Sequence, residues 1–231
     1  MKIVFVGPSL PDARALVGDD AIAVCGPALQ GDVVGAARRG ATVIGIIDGG
    51  FEYTAPIWHK EILYALSQGI AVFGGASMGA LRAAECRAFG MVGVGRIFRD
   101  YESGAIVDDA DVALVHAPAE LGYQALSLPL VNVRATLELI HQKGQLSGAM
   151  RAQIEQAAAA IFFKTRTWRT VIEKCDIFNA PQRSKLLALL LSNTVDQKRA
   201  DAIELLTTLR SADKLSQSFK SEWKFNETFP M

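Results

Sequence analysis

The chain has only three cysteines in 231 residues: Cys25, Cys86 and Cys175, widely spaced and without a CxxC pair. An odd, scattered set argues against a disulfide framework and against a thiolate zinc site, and fits reduced thiols buried in a cytoplasmic protein. There is no surplus of charge either, since 24 basic side chains balance 24 acidic ones. Nucleic-acid binders carry a basic excess, so no nucleic-acid partner is expected. Long apolar runs are missing. None approaches the roughly eighteen residues that span a bilayer, so no membrane partner is expected. The N-terminal run Ile3–Val6 stops at Gly7-Pro8 and reads as a strand, not a signal peptide. Histidine is scarce too, with His59, His116 and His141 alone, and no metal or cofactor is expected.

What is present is an ordinary globular composition, 50% apolar and 21% charged. Its length suits one large domain or one domain with an appendage. Residues 1–144 carry 11 basic and 15 acidic side chains, and residues 145–231 carry 13 and 9, a mild tilt of sign.

The first half alternates short β-branched runs with helical patterns. Ile3–Val6, Ala21–Cys25, Thr42–Ile47 and Ile70–Phe73 are each closed by glycine turns. Runs of this kind suit strands buried on both faces of a parallel sheet. Helices are expected over Asp32–Arg39, Pro56–Gln68 and Met78–Phe89, each followed by glycine. Val112–Val115 reads as one more strand, ending at His116. From Pro129 onward the pattern is helical, over Val131–Gln142, Met150–Phe163, Trp168–Phe178, Arg183–Leu191 and Gln197–Arg210. The fold class is therefore α/β: a mainly parallel sheet with helices on both faces, followed by a helical C-terminal part. The division expected is an α/β core over 1–144, a helical subdomain over 145–215 and a loosely held tail over 216–231.

Chemistry in such sheets gathers at the carboxyl ends of the strands. Three glycine turns lie there: Gly7-Pro8-Ser9, Asp48-Gly49-Gly50 and Gly74-Gly75-Ala76-Ser77. The last matches a nucleophile elbow, Gly75-x-Ser77-x-Gly79, between an expected strand and an expected helix. A serine on so sharp a turn tolerates no bulk on either side, and the helix that follows aims free N–H groups at an oxyanion. Ser77 is the candidate nucleophile. The competing readings are a helix N-cap and an anion-binding turn. Met78, Gly79, Gly49 and Gly50 are the candidate oxyanion and substrate contacts.

A serine nucleophile needs a base. His59 and His116 both fall near strand ends, and Lys60, beside His59, offers an amine instead. Asp48 closes a strand next to the serine strand and either orients a histidine or caps a turn. Arg82 and Glu85, three apart on the serine helix, pair locally, or Arg82 receives a carboxylate from a bound partner. No GxxxxGK[ST] or GxGxxG stands in the right place for a nucleotide site.

The runs Trp58-His59-Lys60-Glu61-Ile62-Leu63, Ser77-Met78-Gly79-Ala80-Leu81-Arg82-Ala83-Ala84-Glu85, Phe89-Gly90-Met91, Gly93-Val94-Gly95-Arg96-Ile97-Phe98 and Val131-Asn132-Val133-Arg134-Ala135-Thr136 resemble the TfuA core, over about residues 1–140. That resemblance implies a protein that accompanies YcaO enzymes in backbone thioamidation of peptides. It implies hydrolysis of the thiocarboxylated C-terminus of a ubiquitin-like sulfur carrier, releasing sulfide for the YcaO partner. A non-catalytic docking partner or activator of a YcaO enzyme is the alternative. Ser77 is then the nucleophile, His59 or His116 the base, and Arg134 and Asn132 are orienters. The runs Ala76–Ala80 and Val115–Pro118 also resemble the serine and histidine segments of Clp-type proteases, which leaves both a flavodoxin-like and a crotonase-like winding open. A homo-oligomer is compatible with the sequence.

Overall fold

The computed structural model describes residues 1–19, 21–50, 52, 54–175, 178–212 and 223–226. The chain divides into two compact units, residues 1–107 with 198–231 and residues 108–197.

The first unit is built on five parallel strands: β1 (Lys2–Phe5), β2 (Ile22–Cys25), β3 (Val43–Ile46), β4 (Ala71–Gly75) and β5 (Val92–Val94). Four of them are the apolar runs expected from sequence. The spatial order is β2-β1-β3-β4-β5, with Lys2 opposite both Ile22 and Val43. This is the flavodoxin-like winding, in which the chain reverses direction at β1. A crotonase-like winding does not fit it.

Between the strands run α1 (Ala13–Val17), α2 (Asp32–Arg38), α3 (His59–Ser67) and α4 (Met78–Cys86), and α5 (Arg96–Glu102) follows β5. Side chains alternate across a strand. Val4, Val6, Val43, Ile47, Ala71 and Phe73 therefore share one face, where they are buried with Ala13 and Val17 of α1. Ile3, Phe5, Ile44, Ile46 and Val72 face the other way and are also buried. On that side α2, α3 and α4 lie next to one another, with α3 against β4 and α4 against β3 and β4.

The second unit holds α6 (Leu130–Gln142), α7 (Gly148–Ala159), α8 (Trp168–Glu173) and α9 (Ala180–Ser192) around an apolar core that includes Leu137, Ile140, Ile154, Trp168 and Leu190. The guanidinium of Arg166 is buried there and donates to the carbonyls of Ala158 (2.9 Å), Ile161 (2.9 Å) and Leu128 (3.3 Å). The last helix, α10 (Gln197–Ser211), returns to the first unit. Its Ala202, Leu205, Leu206 and Leu209 join the sheet face that also carries α1. Lys2 Nζ donates to the carbonyls of Leu209 and Arg210 at the helix C-terminus, where a cation suits the dipole. By contacts, then, α6 groups with the helices after residue 144, and α10 groups with the sheet.

Two local readings are corrected. Residues 112–115 form no strand. This stretch takes part only in a small local loop, with one antiparallel bridge between His116 and Ala125. The fifth strand is instead Val92-Gly93-Val94, three residues long. A run that short, with a central glycine, carries almost no periodic signal, and it is a strand because β4 lies beside it. Residues 176 and 177 of the expected Trp168–Phe178 helix lie outside the described residues, as does most of the 216–231 tail.

Candidate active site

The turn around Ser77 is tight because four elements close on it. A methyl group at Gly79 would collide with the carbonyl oxygen of Ile46 at the end of β3, and one at Gly74 with the carbonyl of Gly79. One at Gly75 would stand 2.7 Å from the Val94 carbonyl oxygen and 3.1 Å from the Leu205 side chain. The glycines of the pattern are thus required by packing. Ala76 takes φ 65°, in the left-handed region that L-residues other than glycine rarely occupy. The Ser77 N–H bends back to the Gly75 carbonyl at 2.7 Å, closing a three-residue turn. The strain of the elbow therefore sits on Ala76, one residue before the serine.

Ser77 is only 8% exposed, and its carbonyl accepts the first helical N–H groups, from Ala80 at 2.9 Å and Leu81 at 3.4 Å. Its hydroxyl does not cap α4 and has no hydrogen-bond partner among the described residues. The helix-cap reading is not what the turn displays. A hydroxyl that caps nothing is left available to a ligand.

The four sequence candidates for oxyanion contacts separate in pairs. The Gly79 N–H donates to Ile47 O (3.1 Å) and the Gly50 N–H to Ala28 O (2.9 Å). Among the described residues nothing accepts from the N–H of Met78 or of Gly49. The two residues are neighbours, since a methyl at Gly49 would lie 2.9 Å from Met78 Cγ. Met78 follows the serine directly, which is the position from which a nucleophile elbow supplies an oxyanion donor.

Asp48 is 2% exposed, and its carboxylate serves the turn after β1. It accepts from the Gly7 N–H at 2.8 Å, the Ser9 N–H at 2.9 Å and the Ser9 hydroxyl at 2.6 Å. No histidine is among its partners in the described residues. This carboxylate occupies the donors that an anion would otherwise meet at the β1/β3 crevice, which removes the physical basis for a phosphate site there.

His59 opens α3 and faces α4. Its Nε2 lies 2.8 Å from Glu85 Oε2, and the same oxygen accepts from Arg82 Nη1 at 2.5 Å. Arg82 Nε donates to the Ile57 carbonyl at 3.3 Å. Glu85 comes eight residues after Ser77, about 12 Å along the helix, and among the described residues no hydrogen bond joins Ser77 to a histidine. Lys60, half-buried, follows His59 in the first turn of α3. His116 belongs to the second unit, where its Nδ1 is 2.8 Å from the Ala117 carbonyl and its ring meets Tyr123 edge-on. Arg134 is also in the second unit. It donates to Asp111 at 2.6 Å and Glu155 at 2.9 Å. Burial alone would lower its pKa, but the two carboxylates outweigh burial and hold it above the ordinary value. Asn132 donates to Asp196 at 3.1 Å. Cys86 is a buried thiol, pushed up to about 11 by burial and by the neighbouring Glu85 charge, with Arg82 partly opposing; it is inert rather than reactive.

Two charged residues on α10 were not among the sequence candidates. Lys198 is 3% exposed and Asp201 1% exposed. A signal for them existed: both fall on the apolar stripe of Ala202, Leu205, Leu206 and Leu209, where a charged side chain needs a reason.

Comparison with known families follows the geometry closely. A model of the family described as TfuA-like protein matches residues 48–167, which is more than half of the chain and includes the Ser77 turn, the His59–Glu85–Arg82 cluster and Arg134. The match begins later and ends later than the motifs suggested. No curated protein matches the chain.

Proposed function

We propose a function from the premise that this chain belongs to the TfuA-like family, a family associated with YcaO enzymes and peptide thioamidation. The protein hydrolyses the thiocarboxylated end of a ubiquitin-like sulfur carrier and releases sulfide for a YcaO partner. One observation carries this reading. Ser77, 8% exposed as a residue, presents a hydroxyl with no hydrogen-bond partner among the described residues on a strained strand-to-helix turn, next to a Met78 N–H that none of them accepts.

The chemistry is acyl transfer in two steps. Ser77 Oγ attacks the thiocarboxylate carbon, and the Met78 and Gly49 N–H groups serve as donors to the developing oxyanion. The C–S bond breaks, and the serine proton ends on sulfur, so hydrosulfide leaves and an acyl-serine remains. Water then cleaves the ester, giving the carrier's carboxylate and restoring the Ser77 hydroxyl. A methyl on Gly49 or Gly50 would run into Met78 or Thr54, so the turn has no room for its own side chains.

The test uses purified protein and a thiocarboxylated carrier, followed by sulfide release and carrier mass. Ser77→Ala is expected to slow release by about a thousandfold or more, as loss of a serine nucleophile does. Equal rates for the variant and the native protein would end the hydrolase reading. Stimulation of a YcaO enzyme that survives Ser77→Ala would favour the docking role instead.

A further inference from the structure

The helix layer formed by α3 and α4 carries two aromatic side chains that the chemistry above does not use. Tyr64 lies in the middle of α3, and Phe89 closes Arg87–Phe89, the 3-10 helical turn that extends α4. The two helices lie side by side. Each ring meets a residue from the far end of the chain. Trp223 stands edge-on to Phe89, with ring centres 5.6 Å apart at 87°, and Phe225 stands edge-on to Tyr64 at 5.8 Å and 65°. These are geometries that aromatic pairs prefer. The Trp223 indole N–H also donates to the Phe89 carbonyl at 3.2 Å. That carbonyl ends a helix, where no later turn supplies an N–H. Trp223 and Phe225 are half-buried, while Lys224 and Asn226 are exposed. The alternation is that of an extended peptide seated on one side, with aromatic anchors two residues apart.

We infer that the surface between Tyr64 and Phe89 is a docking groove for an extended peptide with aromatic side chains two residues apart, and that residues 223–225 of the same chain fill it as a latch. The latch stands independently of the hydrolase reading. Chain length lets the occupant come from the same molecule. Helix α10 lies on the α1 face of the sheet, and α3 and α4 lie on the opposite face. Residues 212–222 separate α10 from Trp223. That many residues reach up to roughly 36–40 Å, whereas layers on the two sides of a sheet lie about 20 Å apart. The tether has slack, so docking in the same molecule needs no strained connection. The latch is shallow, because Phe89 remains 37% exposed with Trp223 against it, and a shallow contact opens readily. Closed, it ties the middle of α3 to the end of α4. Helix α3 begins at His59 and α4 at the Ser77 turn. The latch therefore braces both helices away from the carboxyl edge of the sheet, and it leaves that edge uncovered.

The experiment titrates a fluorescein-labelled synthetic peptide of residues 221–228, by fluorescence anisotropy, with two full-length proteins: the native chain and a Trp223→Ala, Phe225→Ala variant whose own anchors are gone. A flexible tether holds the native tail at an effective concentration of the order of 1 mM. A peptide that binds the variant at about 0.1 mM should therefore bind the native chain about tenfold more weakly. Adding Phe89→Ala to the variant should abolish binding, and Lys224→Ala in the peptide should leave it unchanged. Equal binding to native chain and variant, or binding to neither, would overturn the latch. Sedimentation of the two proteins separates the source of the tail: a native dimer that falls apart in the variant would overturn docking in the same molecule and place one copy's tail on another. Amide hydrogen exchange supplies an arm that needs no peptide. In the variant, exchange over α3 and Arg87–Phe89 should quicken at least about threefold, while β1 and β3 keep their protection and show that the sheet is intact. Unchanged exchange over α3 would overturn the brace. Neither binding nor exchange involves sulfide release, so failure of the hydrolase reading would leave the latch standing.

Discussion

Gly79 looks, in the sequence, like the closing glycine of a catalytic pattern, but the contact that demands it is structural. The backbone of β3 occupies the space its side chain would need, and a carbonyl oxygen cannot step aside as a flexible side chain can. Gly79→Ala is expected to destabilise the protein by about 3 kcal/mol, from overpacking against fixed backbone. In a chain of this length that lowers the midpoint of thermal unfolding by about 6–12 °C, readable by calorimetry. A midpoint within a degree of native would mean the elbow is far looser than the structure shows. The residues of this turn were legible because each has a local reason. A sharp turn excludes bulk, and a serine after it emerges at the sheet edge. Asp48 was less legible. Its carboxylate meets Gly7 and Ser9, some forty residues away in sequence, and no spacing rule links them.

Among the elements, four of the five strands and all the long helices follow from apolar runs and 3.6-residue periodicity. The exceptions are short. Val92–Val94 is a strand because β4 offers it hydrogen bonds, while Val112–Val115, with better β-formers, has no parallel neighbour and turns back on itself. Helix α10 is the instructive case. Its periodicity announced a helix with an apolar stripe, but not which surface the stripe would cover. It covers the sheet, with Leu205 fully buried against β3 and β4. Leu205→Ala should therefore cost about 3–4 kcal/mol in urea unfolding, through lost burial and the cavity left behind. Phe162→Ala, at a side chain 60% exposed, should cost under about 0.5 kcal/mol. Similar costs for the two would contradict the packing of α10.

In the whole molecule, the first compact unit is discontinuous in sequence, residues 1–107 completed by 198–231. A chain ending at residue 144 would therefore carry the sheet without α10 and expose Val4, Val43, Phe73 and their neighbours on one face. Such a chain is expected to be insoluble, or to lack a cooperative unfolding transition by circular dichroism, whereas the full chain unfolds cooperatively. A soluble, cooperatively folding 1–144 fragment would show that the sheet does not need its last helix.

The amino-acid sequence by itself determined the class of fold, the serine turn and the family. These rest on short-range patterns: alternation along strands, helical stripes, glycine at sharp turns, and contiguous motifs. Tertiary structure alone decided the order of the strands, the partners of Asp48 and His59, and which backbone N–H groups remain unspent beside Ser77. It also brought Ala202 and Leu205 of α10, more than 120 positions along the chain, into one apolar cluster with Ala76. Such pairings depend on how helices pack across a sheet, and packing energy depends on contact in space, whatever the distance along the chain.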